Sequence, residues 1–311
     1  MRPSPSHRRV PFVLALVLLA LGLALAGCKP AADEDAGAAA APALAPARPA
    51  EAVRQLTAHL RRNEFDAFAR KAVPPELHAR LRQGWAEGRT RWPLDELPFG
   101  RRLPAILAAL AKPGAEAGLQ RIFDRQFAGA AGELSDTATS LGLFGARYIE
   151  QDPNYSDEER QHYTQLVAAA SDWGARAPLA DRQRAKQSLG QLAAAARRTG
   201  LASDADFRKA GMDGSLRRVA GFSVALKQVL ARYGLDLDAD LATLDATLQQ
   251  QTGDQAKVRM RYRFAGADID TVVSLRRIDG RWYLVDFLRH AEAGLAAPAP
   301  AAEPPADAAR R

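Results

Sequence analysis

Apolar residues recur at helical spacing from residue 51 to about residue 235. Val53, Leu56 and Leu60 illustrate the pattern, since intervals of three and four residues place them on one face of a helix. Prolines at 75 and 104 stand where a helix can begin, because the first turn does not need the missing N–H. The pattern predicts eight or nine helical segments over 51–235.

Capping residues refine the helix boundaries. Ser156 and Glu159 form the spacing of a capping box, which predicts a helix start. Gly200 and Gly234 stand where two helices should end, because glycine adopts the left-handed conformation of a C-terminal cap. Asn63 is expected to cap a further helix over 64–72.

The period changes to two near the C-terminus. Over 256–264 apolar residues alternate with Lys and Arg, which predicts a strand with one solvated face. Asp279-Gly280 is a strong hairpin signal and should join strands 268–278 and 281–288. We therefore predict an α+β fold that is mostly α: a helical part over 51–235, then a four-stranded antiparallel β-meander over 241–290.

The side-chain pattern also predicts the register of that sheet. A three-residue loop at 252–254 would set Leu248 opposite Val258, whereas a two-residue loop would set it opposite Arg259 and exchange the two faces. We therefore expect the longer loop. The charge pairs expected across the middle hairpin are Arg263 with Asp268 and Arg261 with Asp270.

Composition divides the 311 residues into four parts. Residues 51–290 form the globular domain, and the sequence leaves open whether its helical middle is a separate domain. The Ala- and Pro-rich stretches 28–50 and 291–311 are predicted to be a disordered tether and a disordered tail. The net charge of +7 is spread along the chain, which argues against a nucleic-acid partner but leaves attraction to anionic lipid headgroups possible.

The N-terminus has the features of a secretory signal peptide over 1–27. Arginines precede an apolar run from Phe12 to Ala26, and small residues follow just before the only cysteine of the chain. The run is shorter than the roughly 20 residues that a membrane-spanning helix needs. An ordinary signal peptide, with the cysteine there by chance, is the other alternative. The motif consists of Leu25, Ala26, Gly27 and Cys28.

This motif resembles the lipobox of bacterial lipoproteins. The resemblance implies cleavage before Cys28, a diacylglyceryl group on its sulfur and an acyl chain on its new amino terminus. More than one chain is needed for stable anchoring in a bilayer. Lys29, rather than Asp, at the next position implies sorting to the outer membrane, with the domain facing the periplasm.

A second resemblance concerns the predicted sheet. The strand from Arg281 to Leu284, together with its Asp279-Gly280 turn and a helix near the start of the domain, resembles the nuclear-transport-factor-2-like cone fold. The likeness covers about 45 residues, and the long helical middle departs from that family. Such cones host both enzymes and ligand-binding modules, so the resemblance implies a sheet shape and no particular activity.

The sequence offers little catalytic chemistry. It contains no nucleophile elbow, paired-histidine zinc motif or phosphate-binding glycine loop. The histidines of the domain are isolated in the sequence, and we expect surface or capping roles for them. The acidic run 152–159 lacks the spacing of a calcium loop and suits a helix N-terminus, so we expect no metal or other dissociable cofactor. The four tryptophans are expected in the core and at its rim.

Asp286 is the single candidate catalytic residue. The predicted hairpin pairs it with Val273 on the face that carries Leu275 and Leu284. If that face lines a cone, the carboxyl group of Asp286 would lie in an apolar pocket and its pKa would be raised. If the face is instead an exposed edge of the sheet, Asp286 would only keep that edge in contact with water. Two hypotheses follow: a non-enzymatic envelope lipoprotein that binds a protein or a small apolar ligand, and a cone-fold hydrolase or isomerase that uses Asp286.

Overall fold

The fold is α+β and mostly α, as predicted. A computed structural model describes residues 48–97 and 99–296. Within these ranges eleven α-helices accompany one sheet of four antiparallel strands. In chain order the elements are α1 Pro49–Arg61, α2 Phe65–Ala72, α3 Pro75–Ala86, α4 Leu103–Ala111, α5 Ala115–Gln126, α6 Ala131–Gln151, α7 Asp157–Arg176, α8 Arg182–Thr199, α9 Asp204–Arg232, α10 Leu237–Ala242, β1 Asp245–Thr252, β2 Gln255–Phe264, β3 Ala267–Ile278, β4 Arg281–Leu284 and α11 Val285–Ala296, with short 3₁₀ turns at Leu94–Glu96 and Gly100–Arg102.

Most of the predicted capping signals act as expected. Ser156 and Glu159 form both bonds of the capping box at the start of α7. Gly200 ends α8 with a φ of 59°. The prediction for Asn63 is wrong: Asn63 has a φ of 56°, and Glu64 precedes α2 without a side-chain cap. The reason is that α1 extends to Arg61, so Asn63 lies in the tight reversal between the two helices.

The hydrophobic core joins the helical part to the sheet. It is centred on α9, which is kinked at Gly211 and buries residues on most of its turns. One continuous cluster includes Leu81 of α3, Leu216 of α9 and Val258 of β2, each fully buried. All four tryptophans are buried; the indole N–H of Trp85 donates to Phe207 O at 3.2 Å and that of Trp173 to Tyr233 O at 3.0 Å.

The sheet has the order β1-β2-β3-β4 and the predicted register. Leu248 lies opposite Val258, although the turn beyond it is only two residues long. The prediction of a three-residue loop is therefore wrong: a β-bulge between Leu248 and Gln250 supplies the extra residue within the strand. The predicted pairs of the middle hairpin are confirmed: Arg263 with Asp268 and Arg261 with Asp270.

The last strand is shorter than predicted. The final pair of β4 is Leu284 with Leu275, and the chain then turns into α11. The free edge of β3 is covered by α7 instead, because the Asp270 N–H donates to Gln165 Oε1 and Gln165 Nε2 donates to Asp270 O, each at 3.0 Å. The strand prediction over 285–288 is therefore wrong.

The boundaries of the predicted tether and tail also change. The helix α1 begins at Pro49, inside the predicted tether. The helix α11 continues to Ala296, and Leu288, Ala291 and Leu295 form its buried face. The predicted disordered tail thus cannot begin at residue 291, and the remaining residues of both stretches lie outside the described ranges.

Candidate functional site

Asp286 lies in the first turn of α11 rather than on a strand opposite Val273. Its Oδ2 accepts a hydrogen bond from Ser156 Oγ at 3.3 Å, and its Oδ1 lies 3.1 Å from Arg289 Nη2. Neither setting considered for Asp286, an apolar cone or an exposed sheet edge, is found, since both carboxylate oxygens contact polar groups at the start of a helix. The strand ended two residues too early for the predicted pairing.

The contacts of Asp286 belong to a larger ionic cluster at the junction of α7, α11 and the Leu94–Glu96 turn. His290 Nδ1 lies 2.6 Å from Glu96 Oε2, and its Nε2 lies 3.2 Å from Glu159 Oε1. Arg289 pairs with Glu159 as well as with Asp286. We refer to Glu96, Glu159, Asp286, Arg289 and His290 as the junction cluster.

Burial and charge act against each other in the junction cluster. Burial would lower the pKa of His290, but its hydrogen bond to Glu96 and the charges of Glu96 and Glu159 together raise it. Burial raises the pKa of Glu159, and the Ser156 N–H and neighbouring cations only partly offset that effect. Both oxygens of Glu159 have donors within the protein, so the cluster resembles a structural ion-pair network more than an exposed catalytic base.

The remaining histidines have protein partners or buried positions. His59 is buried, its Nδ1 lies 2.6 Å from Glu64 Oε2, and burial lowers its pKa. His162 Nε2 lies 2.6 Å from Tyr262 Oη, and burial lowers the pKa of His162 to about 4. Burial also lowers the pKa of His78. Of the surface or capping roles that we expect for these histidines, a surface role is wrong for the buried His59, and His162 is partly buried.

The acidic run 152–159, which spans the start of α7, is engaged within the protein. Asp152 Oδ1 accepts from the Asn154 N–H at 2.9 Å, and Asp157 lies 2.6 Å from Arg160. Glu158 lies 3.2 Å from Lys257 Nζ and accepts from Ser274 Oγ. In the part of the chain that the structure describes, no three His, Cys, Asp or Glu side chains are arranged to hold a metal ion.

The most exposed large apolar side chains lie together on α6. Leu143, Phe144 and Tyr148 are 72%, 73% and 65% exposed. We call these three residues the α6 apolar face. The opposite side of the helix packs closely on α7, with Gly142 against Ser171 and Gly145 against Val167.

Sequence reasoning missed both the junction cluster and the α6 apolar face. The cluster depends on α11, which the period-two pattern concealed. The α6 apolar face had a signal in the sequence: apolar residues at 141, 143, 144, 148 and 149 cover more of the helix circumference than one buried stripe requires.

The predicted lipidation site lies outside the described residues. This applies to Cys28 and to Leu25, Ala26 and Gly27 before it. Among the helices over 48–97 and 99–296, none combines the length and apolar character of a membrane-spanning segment. The chain matches no protein-family model, no curated protein and no solved structure at a significant level.

Proposed function

We propose that this protein is a non-enzymatic bacterial envelope lipoprotein that binds a partner protein through the α6 apolar face. In this proposal Cys28 carries a diacylglyceryl group and an N-acyl chain, and the domain faces the periplasm from the outer membrane. The observation that carries the binding function is the exposure of Leu143, Phe144 and Tyr148 on one rigid helix.

The energetics favour a protein interface on this helix. Leaving a leucine or phenylalanine in water forgoes about 1.5–3 kcal/mol of burial free energy per side chain. Tyrosine is enriched among the residues that dominate binding energy, and such residues cluster near the centre of an interface. Gly142 and Gly145 hold the other side of α6 tightly against α7, so the face is presented in a fixed orientation with little ordering cost on binding.

The proposed anchor determines which partners are within reach. Residues 28–47 separate Cys28 from the described domain, and twenty residues can span at most about 70 Å. A lipidated protein would therefore hold the α6 apolar face near the bilayer surface, where its local concentration against envelope proteins is high.

The hydrolase or isomerase alternative has less support. An acid catalyst needs at least one oxygen free to approach a substrate, whereas Asp286 is occupied by Ser156 and Arg289. No observation on the described residues favours a small apolar ligand over a protein partner.

Site-specific photo-crosslinking in intact cells tests the binding surface. A photoreactive residue at position 144 should give a discrete crosslinked protein product, while the same residue at position 224 should give none. Val224 is the matched control, because it is an apolar residue 41% exposed on α9. Equal products at both positions, or none at 144, would contradict the proposed surface.

The anchor needs a separate test. Mass spectrometry of the purified protein should detect acyl chains on an N-terminal Cys28, and Cys28→Ala should release the protein from the membrane fraction. An unprocessed N-terminus without acyl chains would refute the lipoprotein assignment. The binding surface on α6 would still be tested by the crosslinking experiment.

A further inference from the structure

We propose that His290 is a proton-controlled latch. As an imidazolium it joins α11 to both α7 and the Leu94–Glu96 turn, and as a neutral imidazole it releases one of these two contacts. The inference concerns the internal mechanics of the domain and does not depend on the proposed binding function.

Each ring nitrogen of His290 faces a carboxyl oxygen on a different element. His290 Nδ1 faces Glu96 Oε2 at 2.6 Å, and its Nε2 faces Glu159 Oε1 at 3.2 Å. An ionised carboxylate only accepts hydrogen bonds, and a neutral imidazole has a single N–H. Both contacts can therefore be hydrogen bonds at once only when His290 carries two ring protons, unless one of the carboxyl groups is itself protonated.

The surrounding charges reinforce this requirement. Glu96 faces His290 from the 3₁₀ turn, Glu159 faces it from α7, and Asp286 and Arg289 belong to its own helix. With His290 protonated, two cations face three carboxylates in a partly buried site, which leaves a net charge of −1. Loss of that proton leaves Arg289 alone against all three, which increases repulsion between the elements.

The latch also has a limited range of motion. The apolar face of α11 is buried through Leu288 and Ala291, and the ring of Phe287 lies edge-on to Phe68 with a centroid distance of 5.5 Å. These contacts do not depend on protonation. Deprotonation should therefore loosen the first turns of α11 and the Leu94–Glu96 turn without unfolding the domain.

The direction of the pH effect follows from the raised pKa of His290. A group whose pKa is higher in the folded state contributes stability that is fully present below its unfolded value, here 6.5, and that is lost as pH rises through the folded value. The latch is thus closed in mildly acidic solution and opens toward alkaline pH.

The test combines histidine NMR with amide hydrogen exchange on the full-length lipidated protein in detergent. We expect His290 to titrate above ordinary histidine, and amides over 285–290 to exchange about tenfold faster above that midpoint after correction for the intrinsic rate, as loss of one charged hydrogen bond implies. Glu96→Gln should lower the midpoint, since it removes one of the stabilising charges. His290→Gln should exchange at the fast rate at every pH.

The control is His78→Gln, because burial lowers rather than raises the pKa of His78. It should leave the pH profile over 285–290 unchanged. If His290→Gln fails to fold, the titration of the unmodified protein and of Glu96→Gln still decides the matter. A His290 midpoint at or below that of free histidine, or a pH-independent exchange rate over 285–290, would overturn the latch.

Discussion

The two long helices α9 and α6 differ in what surrounds them. Twelve residues of α9 are buried, and they are spread along the helix from Phe207 to Leu230. In contrast, α6 buries only Ala138 and Ile149 over 21 residues. Both buried residues of α6 lie outside the main hydrophobic core. The contrast separates a helix that holds the fold together from one that displays a surface, although both have helical apolar patterns.

The largest expected difference between these helices is the cost of the same truncation. Leu216→Ala removes a fully buried side chain of α9 and should lower the free energy of unfolding by about 3 kcal/mol through lost burial and a residual cavity. Leu143→Ala on α6 should change it by less than about 0.5 kcal/mol, because that side chain is already in water. Denaturant titration of both variants measures the difference, and similar losses would show that α6 is part of the core.

A buried lysine of α9 adds to the role of this helix in holding the fold together. Lys227 Nζ donates to Leu60 O at 3.4 Å and to Arg61 O at 3.1 Å, and it lies 3.5 Å from Asp238 Oδ1. It therefore caps the C-terminal end of α1 and balances a carboxyl group whose pKa burial raises.

Lys227→Met should destabilise the protein by about 2–3 kcal/mol, since it leaves these acceptors buried without their donor. The control is Lys186→Met on an exposed position of α8, which should be nearly neutral. Thermal or denaturant unfolding compares the two. Equal stability of both variants would mean that water replaces the lysine at the end of α1.

The packing of α6 on α7 allows a smaller and more local test. A Cβ at Gly142 would lie 2.3 Å from Ser171 Oγ, whereas one at Gly132 would meet no atom within 4 Å beyond its chain neighbours and the backbone of its own helix turns. Gly142→Ala should therefore cost about 1–3 kcal/mol and increase amide exchange in α6, while Gly132→Ala should stabilise the helix by about 0.5–1 kcal/mol. An unperturbed exchange pattern in Gly142→Ala would mean that α6 moves freely on α7.

The sequence predicted features that depend on local chemistry. The capping box at Ser156, the register of Leu248 with Val258 and the charge pair of Arg261 with Asp270 follow from neighbouring residues or from side-chain alternation, and the structure confirms each. Gln249 shows the limit of this reasoning. The bulge at Gln249 adds one residue to the strand and the loop is one residue shorter, so that Leu248 still lies opposite Val258.

The missed features depend on contacts between distant segments. Two elements compete for the edge of β3: β4 pairs with it only as far as Leu284, and Gln165 of α7 bonds to Asp270, 105 residues away in sequence, further along the same edge. No local pattern encodes that competition. The junction cluster follows from the same event, since only a helix places Asp286, Arg289 and His290 on one side toward Glu159.

The smallest effect on stability should accompany the largest effect on binding. Phe144→Ser removes an exposed ring from the α6 apolar face, so the free energy of unfolding should change by less than about 0.5 kcal/mol. The side chain should nevertheless be a binding anchor, and its loss should weaken partner binding at least about tenfold if it contributes as a central aromatic residue does. Val224→Ser on α9 controls for a general change in surface polarity.

The readout is the amount of crosslinked product from a photoreactive residue at position 148, compared between the Phe144→Ser and Val224→Ser backgrounds. If only Phe144→Ser reduces the amount of crosslinked product, α6 serves binding while α9 serves the stability of the fold. An unchanged amount of crosslinked product would contradict the proposed interface. Phe144 would then contribute neither to folding nor to binding, and its exposure could not be explained by the free energy gained when a partner buries it.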